Sequence, residues 1–381
     1  MIRSQRSPRR VLITGGAGFI GSHLADRLLA AGHHVRLLDN LSPQVHGPDR
    51  RPPNYLNREA ELHVGDVCDP DAVATALKDI DVVFHLAAAV GVGQSMYEIV
   101  DYTRANSVGT AVLMEHLIER PVERMIVASS MSIYGEGRYR DANGLPYRGT
   151  VERTPEQLRD GRWEPMDEDG ALLTPMPTDE SKTPRLSSIY ALTKWDQERT
   201  CLITGRAYDI STIALRLFNV FGTRQALSNP YTGVIAIFLS RILNNRPPLI
   251  YEDGLQQRDF VHVKDVARAF QLAMDADDSL QSGVYNIGSG RRRTILDIAR
   301  AVAHAVNRPE IEPTVTGKYR AGDIRHCFAD IARAKRDLNY EPMVTLEDGL
   351  RELAMWLGTQ TASADRFDEA FEELTSRGLA V

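Results

Sequence analysis

The chain has 381 residues, which is too long for one ordinary domain core and suits two domains of roughly 100 to 200 residues each. Hydrophobic residues make up 43% and charged residues 25%, a composition typical of a globular protein and not of a disordered, collagen-like or membrane chain. The 45 Lys and Arg residues against 51 Asp and Glu residues give a net charge of −6, which argues against binding to nucleic acid or to an anionic membrane surface.

Cysteine and histidine patterns argue against a disulfide framework and against a metal site. Cys68, Cys201 and Cys327 are far apart in the sequence, and the ten histidines form no His-Glu-x-x-His pattern. The basic N-terminus lacks the apolar run of about 7 to 15 residues that a secretory signal needs. The longest apolar stretch, residues 82–93, is far shorter than the roughly 20 residues of a membrane span. The sequence therefore predicts a metal-free cytoplasmic protein.

Short β-rich runs alternate with helical patterns over the first two thirds of the chain. This alternation is typical of βαβ units around a parallel sheet, and the nearly continuous apolar character of the runs fits strands that are buried on both faces. The predicted strands are residues 11–14, 35–39, 62–65, 81–86, 125–129 and 211–217. The predicted helices are residues 19–31, 69–78, 98–119 and 188–205. The fold class is therefore α/β with a doubly wound parallel sheet, the Rossmann arrangement.

Residues 136–180 interrupt this alternation between a strand and a helix. The segment has 12 hydrophobic residues in 45 and 17 charged residues, so it is too polar to belong to the core. It is interpreted as an insertion that is either a solvated loop or part of the wall of a site.

The rhythm loosens after residue 217. Helical patterns at residues 234–244, 264–276, 295–306 and 346–357 are separated by connections rich in Pro or Gly. We predict a first domain over residues 1–217, including the insertion, and a smaller second domain over residues 218–358 that is interleaved with the first. An acidic, amphipathic tail covers residues 359–381.

A glycine-rich turn follows the first strand and opens the first helix. Glycines there allow a tight turn and let the backbone approach a pyrophosphate, which the helix N-terminus attracts. Asp39 ends the second strand, where a carboxylate accepts the ribose hydroxyls of NAD and repels the additional phosphate of NADP. The sequence therefore predicts an NAD site. Its predicted contacts in this region are Gly15, Gly18, Phe19, Ile20, Gly21 and Asp39.

Further residues stand where the second, third and fourth strands end. Ligands of such folds bind at the carboxyl edge of the sheet, and small side chains allow a flat cofactor to approach, although they also suit ordinary helix packing. These additional predicted cofactor contacts are Asn40, Asp66, Val67, Leu86, Ala87 and Ala88.

Tyr190 and Lys194 are four positions apart on a predicted helix, which places both side chains on one face. With 13 Tyr and six Lys in the chain, fewer than one such pair is expected by chance. An ammonium beside a phenol favours the phenolate, so we expect the pKa of Tyr190 to lie below its usual value of about 10, toward the range of a general acid and base.

Six motifs spread over nearly the whole chain resemble one enzyme family. The motifs are GGAGFIG at 15–21, SSMSIYG at 129–135, YALTK at 190–194, RLFNVFG at 216–222, RDFVHV at 258–263 and NIG at 286–288. They are similar to those of the extended short-chain dehydrogenases/reductases that act as nucleotide-sugar epimerases and dehydratases. The resemblance implies NAD as the cofactor and a nucleoside-diphosphate sugar as the substrate.

The resemblance also implies the roles of individual residues. Tyr190 is the acid and base, Lys194 holds the nicotinamide ribose and tunes Tyr190, and Ser130 bonds the reacting sugar oxygen. Asn106 occupies the structural asparagine position of the family. The residues implied in substrate binding are Asn219, Arg258 and Arg320 at the diphosphate and Asp323 near the nucleoside ribose. A homodimer formed through helices 98–119 and 188–205 is expected from the same resemblance.

The two positions after Ser130 bear on the choice of reaction. The 4,6-dehydratases of the family carry Asp and Glu there, and its UDP-glucuronate decarboxylases carry Glu at the second position. This chain has Met131 and Ser132, which supply neither an acid nor a base at neutral pH. The expected reaction is therefore inversion of C4 through a transient 4-keto sugar.

The insertion, together with NPYTG at 229–233 and YEDG at 251–254, resembles the branch of the family that interconverts dTDP-L-rhamnose and dTDP-6-deoxy-L-talose. The alternatives are a UDP-glucose or UDP-glucuronate 4-epimerase, and then a nucleotide-sugar dehydratase or reductase. A protein that only senses NAD is a further alternative, but the intact pair of Tyr190 and Lys194 argues against it.

Overall fold

A computed structural model of the chain describes residues 7–226, 233–277, 279–320, 322–357 and 376–377. Its strands are β1 (Arg10–Thr14), β2 (His34–Asp39), β3 (Glu61–Val64), β4 (Val82–His85), β5 (Arg124–Ser130), β6 (Arg138–Arg140), β7 (Thr174–Met176), β8 (Ser211–Leu217), β9 (Asn219–Phe221), β10 (Leu249–Ile250), β11 (Gln257–His262), β12 (Ser282–Ile287), β13 (Arg292–Thr294), β14 (Thr314–Val315) and β15 (His326–Cys327). Its α-helices are α1 (Phe19–Ala30), α2 (Pro43–His46), α3 (Pro70–Ala76), α4 (Val92–Ser95), α5 (Ile99–Tyr102), α6 (Gly109–Glu119), α7 (Pro155–Arg159), α8 (Ile189–Ala207), α9 (Val234–Leu243), α10 (Val263–Met274), α11 (Ile295–Ala305), α12 (Ala332–Leu338) and α13 (Leu346–Leu357). The tail predicted over residues 359–381, apart from 376–377, and residues 229–232 of the NPYTG motif lie outside the described residues.

Seven parallel strands form the central sheet in the order β12-β8-β5-β4-β1-β2-β3. Successive side chains of a strand point to opposite faces. Val11 and Ile13 of β1 accordingly pack into the core beneath α1 and α10, whereas Leu12 packs into the core beneath α3 and α6. The prediction of a doubly wound parallel sheet is confirmed.

The seventh strand, β12, comes from the C-terminal half of the chain and pairs with β8 along its length. It was not among the predicted strands, because it opens with an exposed Ser282 and a Gly283 and lies between two helical patterns. The C-terminal half therefore contributes both to the central sheet and to a smaller unit, in which β9, β13 and β15 pair with β11 and helices α9, α11 and α13 pack into a core of their own.

The prediction of a single helix over residues 98–119 is wrong, because the segment is not one continuous α-helix. The segment is α5, a π-helical stretch Thr103–Val108 and then α6. The wider turn accompanies hydrogen bonds that hold Asn106, a residue without exposed surface, against the backbone of Ala89. A π-helical turn inside a longer helix often marks a functional site, and helical periodicity alone does not reveal it.

The insertion folds against itself as well as against the rest of the chain. Strands β6 and β7 form an antiparallel hairpin, and Tyr139, Val151 and Leu173 form a small apolar cluster. Of the helices that the structure describes, none is long and apolar enough to cross a bilayer.

Candidate active site

The glycine-rich turn lies at the carboxyl edge of the central sheet and is pressed against the end of β4. Gly15 has a φ of +67°, and a Cβ added there would lie 2.9 Å from the backbone nitrogen of Ala87. A Cβ on Gly21 would overlap the carbonyl oxygen of Gly15. Gly18 is the N-cap of helix α1 and provides no side-chain hydrogen bond to the first N–H groups of the helix. This cradle, which a side chain would fill, fits the pyrophosphate of a dinucleotide.

Two carboxylates stand at the ends of β2 and β3. Asp39 accepts the N–H of Ala17 at 3.0 Å and of Leu41 at 2.9 Å, one at each oxygen, and each oxygen keeps a further lone pair. Asn40 donates to Asp66 at 3.1 Å. The structure thus brings the predicted cofactor residues Asp39, Asn40 and Asp66 together beside the glycine turn, where they fit the nucleoside part of NAD.

His85 ends β4 and links the glycine turn to the catalytic helix, a role that the sequence did not reveal. Its Nδ1 lies 2.7 Å from Thr14 Oγ1, and its Nε2 lies 2.9 Å from both Thr110 Oγ1 and the Gln197 side-chain nitrogen. Burial lowers the pKa of His85 to about 3, so the ring is neutral. A lone histidine inside the apolar run of residues 82–93 is the sequence signal that could have identified this position.

The remaining cofactor positions line the same edge. Thr14 Oγ1 accepts the N–H groups of Leu86 and Ala87, both at 3.2 Å, which fixes the chain after β4. Ala88 follows them and Val67 is buried where the chain leaves β3. In α1, Phe19 stacks edge-on with His23 and Ile20 packs on the core.

Tyr190 and Ser130 meet at the end of β5. Tyr190 lies in the first turn of α8, where its N–H donates to Ser95 Oγ at 3.0 Å and its ring packs edge-on against Tyr102. Burial raises the pKa of Tyr190, and its hydrogen bond with the Ser130 hydroxyl lowers it less than burial raises it. The expectation of a lowered pKa for Tyr190 is therefore wrong for the chain by itself, because burial outweighs the favourable partner.

Lys194 is buried one turn farther along α8. Its ammonium donates to the carbonyl oxygen of Ala128 at 2.5 Å and to the side-chain oxygen of Gln197. Burial lowers the pKa of Lys194 to about 8, although the nearby Glu198 carboxylate opposes this. Gln197 itself donates to Thr110 Oγ1 at 3.0 Å and to the carbonyl of Ala87 at 3.3 Å. Gln197 thus holds the ammonium in place, and no motif drew attention to it.

A buried ion pair supports these residues from beneath. Both carboxylate oxygens of Glu198 accept from Arg216, at 2.7 and 3.0 Å, and the Ser129 hydroxyl donates to Glu198 at 2.6 Å. Arg216 also donates to the Tyr134 hydroxyl at 2.9 Å. The pair ties α8 to β8 and to the turn after β5, directly next to Ser130.

The predicted substrate residues lie in the smaller unit and in the chain that precedes β15. Asn219, in β9, has a buried Oδ1 without a hydrogen-bond partner. Arg258, in β11, has its guanidinium 3.7 Å from the carboxylate of Asp323. Arg320 stacks over the ring of Tyr251 at 4.5 Å and has a buried Nε without a partner. Unsatisfied buried polar atoms are costly, so these two residues fit a polar ligand.

The chain is similar to known enzymes over most of its length. The model of the NAD dependent epimerase/dehydratase family matches residues 11–155 and 169–288. A dTDP-L-rhamnose 4-epimerase of Burkholderia thailandensis is 37% identical over 92% of this chain and 96% of that protein. The UDP-glucose 4-epimerase of Thermotoga maritima, solved with UDP-glucose, has a TM-score of 0.73 at 31% identity and covers 92% of this chain and 98% of its own. The UDP-glucuronic acid 4-epimerase of Bacillus cereus, solved with UDP-glucuronic acid and NAD, has a TM-score of 0.72 at 27% identity and covers 92% and 99%.

Proposed function

The chain belongs to the NAD dependent epimerase/dehydratase family, and from that premise we propose that it inverts C4 of dTDP-L-rhamnose to give dTDP-6-deoxy-L-talose. The relatives described above are nucleotide-sugar 4-epimerases, which are isomerases, and one of them was solved with NAD. More distant relatives include decarboxylases of UDP-sugars. The observation that carries the reaction type concerns Ser130, which interacts with the side chain of Tyr190. The two residues that follow Ser130 in the chain, Met131 and Ser132, are neither acids nor bases.

The proposed mechanism divides the work among three side chains. NAD, when bound, supplies a carrier that takes the C4 hydride and returns it to the other face of the sugar. Tyr190 removes the proton of the C4 hydroxyl. It returns the proton after the 4-keto sugar has rotated in the site and presents its other face. Ser130 donates a hydrogen bond to the same sugar oxygen, and the Lys194 ammonium favours the phenolate of Tyr190.

The surroundings of Ser130 support epimerisation over elimination. Met131 is buried, and the backbone N–H of Ser132 donates to Ser130 Oγ at 3.1 Å. Ser132 therefore helps to orient Ser130, and neither side chain can move a proton at C5 or C6 at neutral pH. Dehydration and decarboxylation are disfavoured on this ground.

The sugar and the nucleotide are tested directly by offering the purified enzyme dTDP-L-rhamnose, UDP-glucose and UDP-glucuronate separately and following the C4 proton by NMR. We expect dTDP-L-rhamnose to be converted fastest, without a stoichiometric change in absorbance at 340 nm. Preferred conversion of a UDP-sugar would instead favour the runner-up, a UDP-hexose or UDP-uronate 4-epimerase. Conversion of none of the three would contradict the proposal, and a stoichiometric change in absorbance would indicate a reductase.

Replacing Gln197 with Leu is expected to move the alkaline limb of kcat/KM to lower pH. The change removes an acceptor of the Lys194 ammonium, so the pKa of Lys194 falls further below about 8. As the pH rises, Lys194 of the variant then loses its positive charge at a lower pH than in the wild type, and with it the charge that favours the Tyr190 phenolate. Gln197→Glu should move the limb to higher pH, because a carboxylate stabilises the ammonium. The measurement is kcat/KM across the neutral and alkaline range.

Gln157→Leu is the matched control for that prediction. Gln157 is also a buried glutamine, but it lies in the insertion and donates to the carbonyl of Glu164. Its loss should leave the pH profile unchanged. Coincident profiles for wild type, Gln197→Leu and Gln197→Glu would remove Gln197 from the control of Lys194.

We also propose a homodimer formed through α5, the π-helical stretch, α6 and α8. Exposed apolar side chains lie on these adjacent helices, and Val100 is 76% and Ile203 57% exposed. Apolar patches of this kind on neighbouring helices suit a second copy of the same chain. The double variant Val100→Glu/Ile203→Glu is expected to be a monomer by light scattering. Met355→Glu, an exposed position on α13, is the control, and an unchanged dimer in the double variant would contradict the proposed interface.

A further inference from the structure

We propose that the insertion, residues 136–180, is a positioning element for the nucleoside-diphosphate end of the substrate. It acts by fixing the segment 322–326, which in turn holds Arg258. The inference rests on the proposed function in one respect, namely that the ligand is a nucleoside-diphosphate sugar.

The guanidinium of Arg258 is held by the backbone of residues 324–325 and not by the insertion itself. It donates to the carbonyl oxygen of Arg325 at 3.0 Å and to that of Ile324, and it lies beside the carboxylate of Asp323. The direction in which Arg258 presents its remaining N–H groups therefore depends on where the backbone of residues 323–325 lies.

The insertion binds the backbone of this same segment. The carboxylate of Glu136 accepts the N–H of Arg325 at 2.6 Å and of His326 at 3.1 Å. Gly137 donates its N–H to the carbonyl of His326 at 2.8 Å. Arg153 donates to the carbonyl of Asp323 at 2.7 Å. Four hydrogen bonds, made by Glu136, Gly137 and Arg153 of the insertion, thus hold the backbone of residues 323–326 in place.

A buried charge cluster also holds the insertion and the segment 322–326 together. The guanidinium of Arg325 has no exposed surface and is paired with Glu164 of the insertion and with Glu252 and Asp253 of the loop after β10. Arg153 bonds Glu252 at 2.7 Å. Charges taken out of water are tolerated only with well-placed partners, so the cluster allows one arrangement of the insertion, this loop and the segment.

Glu164 is the insertion's contribution to that cluster. It accepts from Arg325 and from the Nε2–H of His326 at 2.8 Å. Burial raises the pKa of Glu164, but these two partners lower it to about 2, so the carboxylate is ionised at neutral pH. Arg153 and Glu164 therefore act together with Glu136 as the side chains through which the insertion holds the substrate end of the site.

This arrangement predicts a selective effect. Contacts to a nucleoside diphosphate are made equally in the ground state and the transition state, so weakening them raises KM more than it lowers kcat. The residues predicted to bind NAD lie on the other side of the site, around the glycine turn, and contact neither Arg153 nor Glu164. The affinity for NAD should therefore be unaffected.

The test uses the NAD-loaded full-length enzyme with two variants, Arg153→Lys and Glu164→Gln. Lysine keeps the charge of Arg153 but lacks the planar fork that reaches Glu252 and the Asp323 carbonyl from two separate nitrogens. Glutamine keeps the size of Glu164 but has one accepting oxygen where Glu164 uses two, one for Arg325 and one for His326. The matched control is Arg159→Lys, which alters an exposed ion pair with Glu156 in the same insertion. The dissociation constants of dTDP and UDP are measured on the NAD-loaded enzyme by calorimetry. The dissociation constant of NAD is measured on the same proteins after NAD has been removed, and the thermal midpoint is recorded for each.

We expect dTDP and UDP to bind about tenfold more weakly to both variants, the scale of one lost charge-assisted hydrogen bond. NAD affinity should stay within about twofold of wild type, and the control should match wild type throughout. Unchanged binding of both nucleotides by both variants would overturn the inference, as would parallel loss of NAD and nucleotide affinity. A wild type that binds dTDP or UDP but converts no sugar would fail the proposed function alone, and a wild type that binds neither would overturn both.

Discussion

Replacing Tyr190 with Phe should lower kcat by about 10²- to 10⁴-fold, the usual contribution of a positioned general acid and base. The change removes only the hydroxyl, and the ring still packs edge-on against Tyr102 at 6.4 Å between centroids. The N–H of residue 190 still donates to Ser95. The loss should therefore appear in turnover and not in folding or in NAD affinity, as measured by NMR conversion of the nucleotide sugar, thermal unfolding and NAD titration.

Tyr208→Phe is the matched control for that experiment, because Tyr208 is an exposed tyrosine at the C-terminal end of the same helix. It should retain wild-type turnover. Near wild-type kcat in Tyr190→Phe would remove Tyr190 from the mechanism, whatever its position.

Replacing Glu198 with Leu should lower the free energy of unfolding by about 3 to 5 kcal/mol, the usual cost of breaking a buried ion pair from one side. Glu198 has no exposed surface, and both of its oxygens accept from Arg216. The variant leaves a guanidinium buried without its carboxylate and the Ser129 hydroxyl without its acceptor. Urea denaturation followed by circular dichroism measures the change.

The double variant Glu198→Leu/Arg216→Met should recover part of the lost stability, since it removes both charges together. Glu352→Gln is the surface comparison, because its partner Lys264 is largely exposed and the pair should contribute little. A single variant as stable as wild type would contradict the assignment of this pair as a support for α8.

Alternation of apolar runs with helical patterns predicted most of the central sheet, because five of its strands, β1, β2, β4, β5 and β8, are buried over most of their length. The predicted strand β3 is also present, but it lies at the edge of the sheet and is only partly buried. The glycine turn and Asp39 predicted a cofactor site at the carboxyl edge of the sheet, and the spacing of Tyr190 and Lys194 predicted a catalytic pair. These features could be recognised because each is a short pattern within one stretch of the sequence. The structure then places these residues around one edge of the sheet.

What sequence reasoning missed depends on contacts between distant segments. The hydrogen bonds of Asn106 that accompany the π-helical stretch are made with Ala89 and Thr193. The acceptor of Lys194 is a glutamine whose importance follows only from its place in the fold. The pKa of Tyr190 was expected to fall, and burial, which no motif encodes, raises it. The polar composition of the insertion concealed a set of charges that are buried against residues far along the chain.

The position of β12 in the central sheet has a consequence for biogenesis. Until residue 287 has left the ribosome, β8 is an edge strand whose outer row of backbone groups has no partner, from Thr212 to Leu217. Helix α10, which covers α1 and part of the same core, is also synthesised late. A nascent chain that ends near residue 217 therefore presents an open, apolar sheet edge that is prone to aggregation. The central sheet is therefore complete only when residues 10–287 have all been synthesised.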